Sequence, residues 1–295
     1  MTSTHALPPD ADVEPAVITS RSGSNLIAGF ACLDAERRDA MVAIYAFCRV
    51  VDDAVDDAPD ADVGRKRLAF WRDELAATEG GAPRSPVGRA LQQARQRFDV
   101  PQEPLQELVE GCAMDLEPGI EDADELHLYC HRVASAVGLA CLHVFGATSD
   151  GAQRFAKALG QALQHTNILR DLRSDADIGR TYVPRSWLNE LSIDPQWLRG
   201  DGPADAYRKG GPIATVCERL ASIARKQFVN ARNELRALSR RERRALVTAR
   251  IMGAVYGDLL RRLQARRGNI LKPRARVPRL RKLWLALLVW SGVRA

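Results

Sequence analysis

The chain has no alternating apolar and polar run that would read as a β-strand, no G-x-x-x-x-G-K-[ST] and no G-x-G-x-x-G. A sheet-based fold and an ATP or dinucleotide loop of those two kinds are thereby set aside. Six cysteines include no C-x-x-C pair, and no His/Cys spacing suits zinc. Most of them sit in apolar helical runs, as buried free thiols of a reducing compartment do. The stretch MTSTHALPPDADVEPAV has neither a basic start nor a long apolar core, so a cytoplasmic location without a secretory leader is expected. The late apolar run Leu283–Trp290, LWLALLVW, is far shorter than the ~20 residues of a membrane span.

Acidic residues are scarce late in the chain. Residues 236–295 hold 17 Lys and Arg against Glu242 and Asp258 alone, a net of +15. The preceding 235 residues hold 26 Lys and Arg against 35 Asp and Glu, a net of −9. An acidic body with a basic tail points to an anionic partner: phosphate, lipid head groups or nucleic acid. Nucleic acid fits poorly, because the tail's arginines are not interleaved with aromatics that could stack on bases.

What is present is helical period, nearly throughout. After a loose tail over residues 1–20, Asp34 caps a helix running through AERRDAMVAIYAFCRVVDDAV. Further helices are expected over Asp62–Ala77, Pro86–Phe98, Pro101–Leu116, Asp124–Phe145 and Gly151–Ser174. A Gly- and Pro-rich loop follows over 179–212, then helices Pro212–Leu238 and Arg240–Arg267. The expectation is one all-α domain over residues 21–290.

Two of these helices carry acids where a core helix should not. In AIYAFCRVVDDAVDD, Tyr45, Arg49, Asp52 and Asp56 are spaced 4, 3 and 4, and so share one stripe. In ALQHTNILRDLRSD, Gln164, Asn167, Asp171 and Asp175 are spaced 3, 4 and 4, with Arg170 beside them. Like charges at such spacing repel. Two matched stripes on apolar helices therefore need compensation. Carboxylate pairs facing a cavity would hold a hard divalent cation such as Mg²⁺, which is usually bound through a few carboxylates and substrate phosphates. Arg49 and Arg170 supply phosphate forks.

These segments, with RSGSNLIAGF, YCHRVASAVG, GRTYVP and RKLWLAL, make the chain resemble the squalene/phytoene synthase family over about Arg21–Ala286. The wording TNILRD is similar to that of its presqualene diphosphate-forming members. The resemblance implies a class I isoprenoid synthase helical fold with a central cavity, and head-to-head joining of two farnesyl diphosphates. It implies Asp52, Asp53, Asp56, Asn167, Asp171 and Asp175 as ligands of two or three Mg²⁺ ions. It places Tyr45, Arg49, Gln164, Arg170, Tyr256, Ser22 and Asn25 against substrate, with Tyr45 and the paired aspartates in the chemistry. No motif indicates NADPH, although eukaryotic members use it to reduce the intermediate to squalene.

The chain departs from the family in three places. Asn25-Leu26-Ile27 stands for S-F-Y, Arg173-Ser174 for the acid of D-x-x-E-D, and His165 for an apolar residue. Rival readings are a phytoene synthase, which would use the same residues on geranylgeranyl diphosphate, and a non-catalytic assembly factor of the same fold. The tail Arg274–Trp290 reads either as a last packed element, with Leu283, Leu287 and Trp290 on the body, or as a peripheral contact with the inner face of the membrane.

Overall fold

The computed structural model describes residues 8–21, 30 and 33–292; among them there is no strand. The all-helical expectation holds. The chain divides into two compact units, Met1–Glu117 with Leu139–Thr148, and Pro118–Gly138 with Ser149–Ala295.

The first unit contains α1 (Pro15–Arg21), α2 (Ala35–Asp56), α3 (Ala61–Ala77), α4 (Pro86–Phe98) and α5 (Glu103–Met114). The segment expected as a loose tail thus includes a helix, which buries Ile18. Asp34 caps α2 by accepting from the Arg37 N–H at 2.9 Å. Within α2, Ala40, Ala43, Ile44, Ala46, Phe47, Val50 and Val51 are all buried. A helix with so wide a buried apolar face belongs in a core, where its alanines admit close neighbours. At the α3–α4 corner the buried Glu74 accepts from the Ser85 N–H at 2.8 Å, and Ser85 in turn caps α4. Burial would raise the Glu74 carboxyl, but hydrogen bonds from Ser85 and Arg84 hold it below the usual range.

The second unit opens with α6 (Ala123–Cys130), a π-helical turn over His131–Ser135, and the first residues of α7 (Ala136–Phe145). The continuous run Ala123–Phe145 is, by length and composition, apolar enough to cross a membrane, and half of its most apolar window is buried in the protein. Next comes α8 (Asp150–Asp177), one turn longer than the Gly151–Ser174 expected, and that extra turn carries Asp175. The Gly- and Pro-rich loop contains α9 (Arg185–Glu190) and 3₁₀ turns at Pro195–Arg199 and Ala204–Tyr207. After α10 (Pro212–Ala237), the single helix expected over Arg240–Arg267 is broken at Leu246 into α11 (Arg240–Ala245) and α12 (Val247–Gln264). The unit ends with α13 (Arg279–Trp290).

The π turn is seated on α8 at Gly160. A Cβ there would stand 2.5 Å from the Ser135 Cα, and the Ser135 hydroxyl donates to the Lys157 carbonyl at 2.8 Å. Only glycine admits this approach. Gly160→Ala is therefore expected to lower stability by about 1–3 kcal/mol despite alanine's better helix propensity, with a drop in Tm of roughly 2–4 °C per kcal/mol. A thermal melt showing equal or higher stability would contradict the packing described.

Candidate active site

In the first unit the stripe on α2 is organised by Arg49. Its Nε donates to Asp53 Oδ2 at 2.8 Å and its Nη1 to Asp52 Oδ2 at 3.2 Å. Asp53 is turned off the stripe, onto Arg49 and into a small cleft with Pro8, Pro9, Asp10 and Trp71. Of the three carboxylates expected as metal ligands, Asp52 and Asp56 therefore share a face, while Asp53 serves as the counter-ion of Arg49. Asp52 keeps 45% of its side chain exposed. Crowding by protein, then the Asp56 carboxylate, pushes it up to about 7, with Asp53 and Asp115 adding to the rise and Arg49 opposing it. Asp53 is pushed up to about 6 by burial against the pull of Arg49, with Asp57 adding. The Tyr45 ring meets Phe30 edge to face at 6.4 Å.

In the second unit, Gln164, Asn167, Arg170, Asp171 and Asp175 are brought together along α8. Asn167 Nδ2 donates to Gln164 Oε1 at 3.3 Å, while Asn167 Oδ1 is buried without a hydrogen-bond partner. Asp171 is bracketed by two guanidiniums. Arg170 Nε donates to its Oδ1 at 2.9 Å; Arg274 donates from Nε to Oδ1 at 2.6 Å and from Nη2 to Oδ2 at 2.8 Å. Burial alone would raise Asp171, but the hydrogen bonds from Arg170 and Arg274 outweigh it and hold the carboxyl below its usual range. Asp175, one turn on, is pushed up to about 7 by burial and by the Asp171 charge, against Arg170, Arg274 and Arg180. The Tyr256 hydroxyl is hydrogen-bonded with Arg170, which brings this tyrosine to the same cluster.

Sequence reasoning missed Arg274, which lies 103 residues beyond Asp171 and has no local signal. A cavity of about 340 Å³ opens here, walled by Arg170, Arg173, Arg266, Arg267, Lys272 and Arg274. Its rim is shaped by a tight turn. Gly268 has φ +82°, and a Cβ on it would come within 2.3 Å of the Ala214 Cα. Arg266 Nη1 donates to the Pro273 carbonyl at 2.6 Å across the same turn. Of the departures, Arg173 thus adds a cation to the cavity wall, and the Ser174 hydroxyl turns back to the Asp171 carbonyl at 2.9 Å. His165 is a satisfied core residue, with Nδ1 2.8 Å from the Gln161 carbonyl and its pKa held down by burial. Ser22 and Asn25 lie outside the described residues. Among the described residues, no three His, Cys, Asp or Glu side chains converge as a ready-made metal cage.

The squalene/phytoene synthase family model matches residues 19–281. The chain belongs to that family. Presqualene diphosphate synthase of Rhodopseudomonas palustris is 34% identical over 276 residues, covering 92% of this chain and 94% of its own. Phytoene synthase of Mycobacterium bovis is 32% identical over 270 residues, covering 91% and 87% respectively. A crystal structure of a dehydrosqualene synthase in complex with ligand matches with a TM-score of 0.78 at 26% identity, over 95% of this chain and 94% of that one. The chain has the isoprenoid synthase helical fold and is a prenyltransferase.

Asp175 gives a pH test. Unfolded, its carboxyl titrates near 3.8; folded, near 7. Between those values the folded protein holds a proton that the unfolded chain has released, so this group's contribution to stability falls as pH rises and is lowest above 7. Asp175→Asn removes the titration. With chelator present, the variant should match wild type near pH 4 and gain roughly 1–2 kcal/mol by pH 8. Urea titrations across that range check this, and a variant that loses stability at pH 8 would contradict it.

Proposed function

We propose that the protein condenses two farnesyl diphosphates head to head into presqualene diphosphate, releasing one diphosphate and one proton, on the route to squalene and hopanoids. The observation that carries this reading is the bracket Arg170–Asp171–Arg274 beside a cation-walled cavity, in a chain similar to a presqualene diphosphate synthase. Clustered guanidiniums in a partly closed cavity suit the non-bridging oxygens of a diphosphate.

The donor set also fits a hard divalent cation. Asp52, Asp56, Asp171 and Asp175 offer carboxylate oxygens, and Asn167 offers a buried carbonyl oxygen that nothing else satisfies. These residues would hold Mg²⁺, which when bound supplies Lewis-acid charge opposite the leaving diphosphate. Arg170 and Arg274 place fixed positive charge toward a diphosphate in the cavity they line, so that one C–O bond ionises and its electron pair leaves with the diphosphate, while Arg49 offers a further guanidinium on the α2 stripe. The alkene of the second farnesyl chain attacks the resulting allylic cation, and loss of a proton closes the cyclopropane. Gln164 and the Arg170-bound Tyr256 orient the diphosphate end. The ring face of Tyr45 or of Tyr256 steadies the cation, and apolar walls keep water from it.

A second reading, phytoene synthesis from two geranylgeranyl diphosphates, draws on the 32% identity to the Mycobacterium bovis enzyme. Product analysis of purified protein with Mg²⁺ and each substrate decides between them. The expected outcome is a C30 cyclopropyl diphosphate from farnesyl diphosphate, unchanged by NADPH. A C40 product formed preferentially from the longer substrate overturns it, and squalene appearing only with NADPH extends the reaction by a reduction.

Asp52→Ala and Asp171→Ala should each lower kcat by at least about a hundredfold while circular dichroism keeps the helical signal of wild type. Wild-type turnover in both variants would remove the acidic clusters from the chemistry.

A further inference from the structure

We infer that α13 is an amphipathic docking helix for an anionic membrane surface. Leu280, Leu283, Trp284, Leu287 and Trp290 are 81%, 61%, 47%, 62% and 71% exposed. At about 100° per residue they fall within an arc of roughly 120° on one side of the helix. The opposite side is anchored in the second unit. Leu285 and Val289 are buried, and Arg281 Nε donates to the buried Asp258 at 3.1 Å. The exposed face is therefore not a packing face left loose, because a different face of the same helix does the packing. An apolar stripe of this size on a held helix marks an interaction surface.

Its chemistry selects the occupant. No Asp or Glu follows Asp258, whereas eleven Lys and Arg do. Lys272, Arg276 and Arg279 are exposed at the helix's N-terminal approach. Trp284 and Trp290 are the aromatic type that settles at the level of lipid head groups. Twelve residues cannot span a bilayer, but a helix with a Leu/Trp face and cationic flank lies in its surface. A second copy of the chain is a poor occupant, since it would bring two cationic segments together without an acid to pair them. The helix also adjoins a groove of about 330 Å³ through Val289, lined by Phe155, Leu159, Phe228 and Leu260 together with arginines such as Arg232. Docking thus sets that groove beside the bilayer. The inference stands independently of the diphosphate chemistry, because it uses neither acidic cluster.

Sedimentation of the full chain with phosphatidylglycerol–phosphatidylcholine vesicles and with phosphatidylcholine vesicles, at low and physiological salt, tests it. The expected result is co-sedimentation with the anionic vesicles, weakened by salt. The triple variant Leu283→Gln, Leu287→Gln, Trp290→Gln, whose side chains are all exposed, should bind at least about tenfold more weakly at an unchanged Tm. Arg276→Gln and Arg279→Gln should each cost about fivefold on anionic vesicles. Protein that stays in the supernatant at low salt overturns the inference, as does binding that the triple variant leaves intact. A wild-type dimer in sedimentation velocity that the triple variant dissolves assigns the face to a second copy and overturns it too.

Discussion

Holding carboxylates on helices that are otherwise core is the constraint on which the rest of this protein depends. A carboxylate moved from water into a crowded site loses hydration, and a second one a helical turn away adds repulsion. Both terms are visible in Asp52 and Asp175, each pushed up to about 7. They are balanced differently in the two units. Arg49 reaches two aspartates from within its own helix, at i+3 and i+4. Asp171 draws one guanidinium from its neighbour Arg170 and another from the far end of the chain. The second arrangement costs more chain to build, and it gives the only one of these three carboxylates whose pKa is lowered. A carboxyl pushed up to about 7 detracts from stability wherever it is ionised, so Asp52 and Asp175 are each held at the expense of the fold.

Much of this was legible in the sequence, because helix periodicity is local. Stripes at spacings of three and four survive folding intact, so Tyr45, Arg49, Asp52 and Asp56, and Gln164, Asn167, Asp171 and Asp175, could be grouped by arithmetic. Helix starts at Asp34 and Pro86 were equally legible, since a side-chain cap and a proline at the first position act within one turn. Other features had no local mark. The arrival of Arg274 at Asp171 is a tertiary event across 103 residues. The π turn at His131–Ser135 depends on its fit to Gly160, and the break at Leu246 falls inside an unbroken helical pattern. The contact of Asp53 with Arg49 had no separate mark either, because adjacent residues on a helix diverge by about 100°, and membership of a DD pair does not say which of the two the arginine will draw more closely.

The tail shows the same limit in sharper form. Arg279–Trp290 is apolar on both sides, so its sequence does not say which side packs. The expectation that Leu283, Leu287 and Trp290 would lie on the body was one of two readings, and the structure instead buries Leu285 and Val289. What decides is electrostatic. Asp258 is 4% exposed, and Arg261 and Arg262 donate to it at 2.8 Å from its own helix. A third guanidinium, Arg281, completes the cluster from α13 and fixes that helix's rotation about its axis. The carboxyl is held below its usual range because these hydrogen bonds outweigh its burial.

The basic tail, which composition presents as a single feature, is therefore three. Arg274 belongs to the acidic cluster on α8, Arg281 belongs to the anchor on α12, and Arg276 and Arg279 between and beside them face solvent. Ala275 and Val277 are buried in the same non-helical stretch, so its residues alternate between the protein and water. Six residues, 275–280, thus connect the guanidinium on Asp171 to the one that orients the exposed apolar helix. Net charge alone could not have separated these roles, because each uses the same side chain and differs only in what it meets. A basic tail on an acidic body is better read as a set of individual counter-ions, some of them claimed within the fold, than as a single cationic patch.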